Sequence, residues 1–280
     1  MDIGALKAKL AATPTLQATG RVLGVTGISL RFALPGVRIG DVVTVKRKAG
    51  DLACEVVGFA EGVAVGMPLG SLAGTGPDDE VVSTGSPLVV RASRALLGRV
   101  VDGFGKPIDG GADVGDGDVV PVDRDPPRAL DRRLVEKPIE TGVRAIDAFC
   151  TLGEGQRIGL FSGSGVGKST LLGAVARGVA ADVVVVGLVG ERGREVGEFL
   201  ERALGEKGRA KSVVVVATSD ASALERLRAA QVATAYAEWF RDQGARVMLL
   251  VDSITRVARA QREVGLAAGE PPTRRGYPPS

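Results

Sequence analysis

The sequence predicts an α/β protein, with a core built on a mainly parallel sheet and a small β-barrel ahead of it. Three observations carry this. First, the apolar runs "DVVVVGLVG", "KSVVVVATS" and "ARVMLLVDS" lack polar alternation and are separated by helical stretches, as parallel strands covered on both faces are. Second, residues 18–90 hold short β-rich pieces punctuated by Gly, Pro and Asp, the pattern of a small antiparallel barrel. Third, only 4% of the 280 residues are aromatic, while Gly reaches 40 and Val and Ala abound; small and β-branched residues suit buried strands.

In chain order, residues 1–17 place Ile3, Leu6 and Leu10 three and four apart with Lys7 and Lys9 between them. That spacing predicts a short amphipathic helix. It packs on its own domain, docks on a partner, or lies on a membrane surface. The barrel follows over 18–90, from "GRVLGVTGISLRFAL", "GDVVTVKR", "LACEVVGFAEGVAVGMPLG" and "SPLVVRAS". Residues 91–135 read as linker and the start of the core; "VDGFGKPIDGGADVGDGD" is rich in Gly and Asp, which marks turns.

From 136 to 280 strands and helices alternate. Arg157–Phe161 is a short apolar run read as a strand, and Lys168–Ala180 reads as a helix. Then come a strand at 182–190, a helix at 194–207, a strand at 211–219, a helix at about 221–243 and a strand at 245–253, with "ITRVARAQREVGLAAG" as the last helix.

The bulk numbers narrow the function classes. The chain is 45% apolar and 25% charged, ordinary for a globular protein of one large or two modest domains. Eight Lys/Arg against two Asp lie in residues 1–50, and seven Asp against two Lys/Arg in residues 102–125; both are ordinarily solvated surface. The net charge of +3 argues little for a polyanionic partner. Cys54 and Cys150 form no C-x-x-C motif and the chain has no histidine, which disfavours a disulfide scaffold and a Cys/His zinc site. Both cysteines read as small buried hydrophobes. No apolar run nears the ~20 residues a bilayer span needs. The N-terminus has no apolar signal-peptide core, so the expected location is cytoplasmic.

The chemistry centres on "GLFSGSGVGKSTLL", residues 159–172. Ser162 stands where the phosphate-loop pattern G-x-x-x-x-G-K-[ST] has its first glycine, followed by Gly163, Ser164, Gly165, Val166, Gly167, Lys168, Ser169 and Thr170. A strand before and a helix after are the context a phosphate loop requires. Its glycines let backbone N–H groups surround phosphate oxygens, and the helix N-terminus adds partial positive charge. Lys168 would reach the terminal phosphates and the Ser169 hydroxyl would ligate Mg²⁺. A small residue serves at Ser162 where the backbone needs no positive φ.

Ligands of parallel α/β sheets sit outside the carboxyl ends of the strands. There, Glu191 and Arg192 follow one strand and Asp252 follows another. Asp252 suits a Mg²⁺ site, Glu191 a base that polarises an attacking water, and Arg192 a counter-charge for the γ-phosphoryl group. The plainer reading of Glu191 is an acid favoured at a helix N-terminus. Its company with Lys168 and Asp252 favours the catalytic role.

These residues, together with "VVVVGLVGERGREVGEFLE", "KPIETGVRAIDAF" and "LLVDSITRVARAQREVGLAAGEPPTRRGYPPS", closely resemble the flagellar and type III protein-export ATPases. These are relatives of the rotary ATP synthase catalytic subunit. The resemblance implies a RecA-like P-loop core that assembles into a homo-hexamer, with ATP and Mg²⁺ at subunit interfaces. It maps Gly163 to Thr170 onto the phosphate loop, with Lys168 as its lysine and Ser169 as a Mg²⁺ ligand. Glu191 falls on the catalytic glutamate, Arg192 on its neighbouring arginine, and Asp252 on the Mg²⁺-site aspartate. Ser162 departs from the glycine, although the family often carries another small residue there. "EPPTRRGYPPS" resembles the loop lining the ring's central opening.

The implied work is export of flagellar proteins by an ATPase peripheral to the inner membrane. Its implied partners are a regulatory stator-like protein at the N-terminus, an export gate, and substrate or chaperone proteins. Alternatives left open are a virulence-type secretion ATPase, a rotary ATPase subunit, and a non-hydrolysing nucleotide-gated module. A Rho-like terminator fits poorly, because the barrel shows no aromatic platform for RNA, so nucleic acid is not an expected partner. The family pattern continues past Ser280 with further core strands, an arginine finger, an adenine contact and a helical C-terminal domain.

Overall fold

The computed structural model describes residues 17–163 and 165–280. The expected N-terminal helix and Ser164 lie outside the described residues. Two compact units are present. One comprises the described residues up to Leu88 together with Arg262–Ser280; the other is Val89–Gln261.

In the first unit, β1 (Thr19–Thr26), β2 (Ser29–Ala33), β3 (Asp41–Lys46), β4 (Leu52–Ala60), β5 (Val63–Pro68) and β6 (Glu80–Pro87) close an antiparallel barrel, in the order β1-β2-β5-β4-β3-β6. Alternation supplies its interior: Leu30 and Phe32, Val43 and Val45, Cys54 and Val56 all point into one buried cluster with Val22 and Val81. Closure needs bends, and the register shifts at Val22/Gly24, Asp41/Val43 and Val56/Gly58 provide them. Gly66 admits Phe32, whose Cε1 would lie 2.6 Å from a Cβ at that position. Burial pushes the Cys54 thiol up to about 12, so it behaves as a small hydrophobe.

The second unit is a four-stranded parallel sheet in the order β14-β12-β13-β8. Its strands are β8 (Val100–Asp102), β12 (Val183–Val189), β13 (Ser212–Ala217) and β14 (Val247–Asp252), while β10 (Pro138–Ile139) and β11 (Leu152–Gly153) form a separate antiparallel pair. Four helices of the unit bear on its site and core: α1 (Arg144–Phe149), α2 (Lys168–Gly178), α3 (Gly193–Glu198) and α4 (Gly205–Ala210). Residues Phe199–Leu204 wind as a π-helix between α3 and α4. On one sheet face Val184, Val186, Leu188, Val214 and Val216 meet Leu172 and Ala176 of α2, and Phe199 and Leu204 of the π segment. The long helix α5 (Ala223–Asp242) covers the other face. There the backbone of Gly187 comes close enough that a Cβ would be 3.3 Å from Ala233 Cβ. β12 and β13 are therefore wholly buried, which is why their sequences show no alternation.

Three readings need correction. Val100–Asp102, at the start of the acidic stretch, pairs with β13 as a core strand. Neighbouring β7 (Val89–Ala92) and β9 (Asp118–Pro121) form an antiparallel ribbon, and Trp239 Nε1 of α5 donates to Asp118 Oδ2. Residues 157–161 form no strand: they hold no ladder partner, and Phe161 is 97% exposed. A five-residue apolar run reveals burial preference but not a hydrogen-bonding neighbour, and a strand exists only through its ladder. Among the described residues β14 pairs only with β12, and its apolar residues are half-buried. Finally, Cys150 is exposed, not buried.

Candidate nucleotide site

The phosphate loop ends where α2 begins. Gly167 is the residue before the helix and lies in the left-handed region (φ 95°), as does Gly165 (φ 79°). Both φ values require glycine, and a Cβ at either position would meet nothing within 4 Å. Space therefore lies open beside the loop backbone. Ser162 is not among the described non-glycine residues with positive φ, which are Glu61, Asp78 and Arg275. A glycine is therefore not demanded there by backbone conformation.

Lys168 is the first residue of α2, and its Nζ donates to Asp252 Oδ1. Asp252 closes β14 and is 3% exposed, so the buried carboxylate has a cation directly against it. The peptide bond between Asp252 and Ser253 is cis. Ser169, Thr170 and Val166 are exposed along the same loop and first helical turn.

Glu191 follows β12 at the same sheet edge. The ends of β12 and β13 stay joined there: Gly190 N donates to Ala217 O at 2.6 Å, and Ser219 N to Glu191 O at 3.0 Å. The Glu191 side chain does not cap α3. Its Oε1 accepts from Nη1 of Arg256, in the first turn of α6 (Ile254–Ala267). Burial pushes the Glu191 carboxyl up to about 7, helped by a hydrogen bond with Glu195 and by Asp252, and opposed by Arg256. The Glu195 carboxyl is held below its usual range, chiefly by that shared hydrogen bond. Arg192 precedes α3 with its side chain 82% exposed, and its Nη1 lies 3.9 Å from Glu195 Oε1. The fold thus brings Lys168, Asp252 and Glu191 to one edge and leaves Arg192 outward.

Residues 142–280 match the model of the nucleotide-binding domain of the ATP synthase alpha/beta family. Over 97% of its length the chain is 51% identical to a type 3 secretion system ATPase of Xanthomonas euvesicatoria. Residues 142–280 belong to the ATP synthase alpha/beta family. Another relative, the flagellum-specific ATP synthase of Bacillus subtilis, is 47% identical over 96% of the chain. Among solved structures, the assembled ATPase EscN of the enteropathogenic E. coli type III secretion system superposes with a TM-score of 0.85. It shares 43% identity over 93% of this chain and 63% of that one. EscN has also been solved in complex with its central stalk EscO. The chain spans 65% of the Xanthomonas relative and 62% of the Bacillus one.

Within this family member, sequence reasoning missed Arg256 and Glu195 as neighbours of Glu191. The signal for Arg256 was present, since an arginine four residues after Asp252 falls one helical turn past the strand end.

Among the described residues, no group of three or more His, Cys, Asp or Glu side chains is arranged to hold a metal ion. A Mg²⁺ site of one carboxylate, one hydroxyl and substrate phosphate oxygens needs no such group. Asp252 and Ser169 fit that donor set, one closing β14 and the other following Lys168 in the first turn of α2.

Proposed function

We propose that this chain is the nucleotide-binding part of a protein-export ATPase that hydrolyses Mg-ATP and works in flagellar protein export. The observation that carries the reading is the placement of Lys168, Asp252 and Glu191 at one edge of the parallel sheet. Gly163, Ser164, Gly165, Val166, Gly167 and Thr170 would offer backbone and hydroxyl donors to the phosphates, while Lys168 neutralises their charge. Ser169 and Asp252 would hold Mg²⁺, which when bound supplies Lewis-acid polarisation of the phosphates.

Glu191 takes a proton from the attacking water. The water oxygen bonds the γ-phosphorus, the β–γ bridging bond breaks, and ADP leaves. A carboxyl titrating near 7 is well poised for that transfer. Arg192, exposed at the surface, would neutralise charge on the phosphoryl group.

A second reading, a virulence-type secretion ATPase, draws support from the 51% identity to the Xanthomonas relative and from the likeness to EscN. It differs in cargo and not in chemistry. Assembly into a ring of identical subunits, with regulatory and stalk-like protein partners and contact with the membrane surface, belongs to both readings. No described helix is long and apolar enough to cross a membrane.

Calorimetric titration of the 280-residue chain with Mg-ATP tests the site. Binding is expected, and Lys168→Ala is expected to weaken it by about tenfold or more, as loss of a charge-assisted hydrogen bond implies. Unchanged affinity in Lys168→Ala would remove the site assignment.

A further inference from the structure

The strand end that carries Glu191 is shaped around a side chain from another element. Gly190 follows β12 in the left-handed region, with φ 72°. A Cβ there would lie 2.5 Å from Arg256 Cδ and 3.3 Å from its Cβ and Cγ. The space that a side chain at 190 would take is filled by the stem of Arg256. That stem carries the guanidinium to Glu191, where Nη1 donates to Oε1. Glycine is required here on two independent counts, φ and close approach.

The charged groups facing Glu191 come from three elements. Glu195 lies in the first turn of α3, Asp252 at the end of β14, and Arg256 in the first turn of α6. Glu195, Asp252 and burial all favour the neutral acid, and Arg256 alone favours the carboxylate. Arg256 thus holds the carboxylate by its guanidinium and is the one group there that favours its charged form.

We propose that Gly190 and Arg256 are positioning residues for Glu191: the bare backbone at 190 seats the Arg256 stem across the strand end, and the guanidinium holds the Glu191 carboxylate ready to accept a proton. The functional meaning rests on reading Glu191 as the base. The seat itself does not.

Two measurements on the isolated 280-residue chain test the seat without measuring hydrolysis. The first is a ¹³C carboxyl NMR titration, with Glu191 assigned through Glu191→Gln. Arg256→Gln is expected to raise the Glu191 midpoint by about one pH unit or more, as loss of a cation at contact distance implies. Glu195→Gln is expected to lower it. A midpoint unmoved by Arg256→Gln overturns the proposal.

The second is a thermal-melting cycle between positions 190 and 256. Arg256→Ala removes the atoms nearest a Cβ at 190, so Gly190→Ala should cost less stability in that background than in the natural chain. An equal cost in both backgrounds would show that Gly190 answers only to its φ, and would remove it from the proposal. Because neither readout involves nucleotide, loss of the base reading would leave these results standing. Conversely, an unmoved midpoint beside a hydrolytically dead Glu191→Gln would sink the seat alone.

Discussion

The ammonium of Lys168 donates to the carboxylate of Asp252, joining the start of α2 to the end of β14 across 84 positions of sequence. Two residues assigned to phosphate and Mg²⁺ on chemical grounds are thereby in contact. Asp252→Ala should strip nucleotide affinity of its dependence on Mg²⁺ while leaving Mg²⁺-free binding by Lys168 largely in place. Titrations with and without Mg²⁺ check this. If Mg²⁺ strengthens binding equally in both proteins, Asp252 is no part of the metal site.

The raised Glu191 carboxyl gives a pH dependence with a definite sign. Its usual value is 4.5 and its folded value about 7. Between these the folded chain binds a proton that the unfolded chain does not, so this group's contribution to stability is full below 4.5 and is lost as pH rises through about 7. With Glu191 as the proposed base, catalysis should run the other way, because only the carboxylate accepts a proton. The kcat of the protein should fall on the acid side of about 7, and Glu195→Gln should move that limb to lower pH. A pH–rate profile in the two proteins decides it.

Asp109 should matter for stability and not for nucleotide. Its carboxylate accepts from Arg99 Nε and Nη2 at 2.8 Å, from Val100 N at 3.0 Å and from Gly111 N at 3.2 Å. These partners hold it well below the usual carboxylate range. Its contribution is therefore present above that usual range and lost as pH falls through the lowered value. Asp109→Asn should reduce the melting temperature at neutral pH by about 5 °C, with less difference from the natural chain in strong acid.

Gly173 is where α2 touches the π segment. A Cβ there would lie 2.5 Å from Ala203 Cβ and 2.7 Å from Ala203 O. Gly173→Ala should cost about 1–3 kcal/mol, the usual penalty of overpacking. It should also weaken nucleotide binding, since α2 carries Lys168. Chemical denaturation measures the first effect. Partial rescue by Ala203→Gly would localise the strain to that contact.

Much of this was legible in the sequence, because strong local signals coincide with the tertiary arrangement. The unalternating runs at 183–189 and 212–217 are strands buried on both faces, and the alternating pieces before residue 88 close into a barrel. Gly165 and Gly167 sit where positive φ demands them. The illegible parts depend on partners remote in sequence. Val100–Asp102 is only three residues long and borrows its identity from β13. The run at 157–161 has apolar character but no ladder. Arg256 and Glu195 matter because α6 and α3 bring them to the same strand end; the spacing after Asp252 puts Arg256 one turn past its own strand but does not pair it with Glu191. The π winding at 199–204 shifts the helix register within a stretch that reads as plain α-helix.

The most direct test of the account is phosphate release by the protein carrying Glu191→Gln, with Mg-ATP binding measured alongside. The account predicts retained binding and a loss of about 10²–10⁴-fold in turnover, the range for removal of a general base. Steady-state phosphate release at the natural rate, with binding intact, would contradict it.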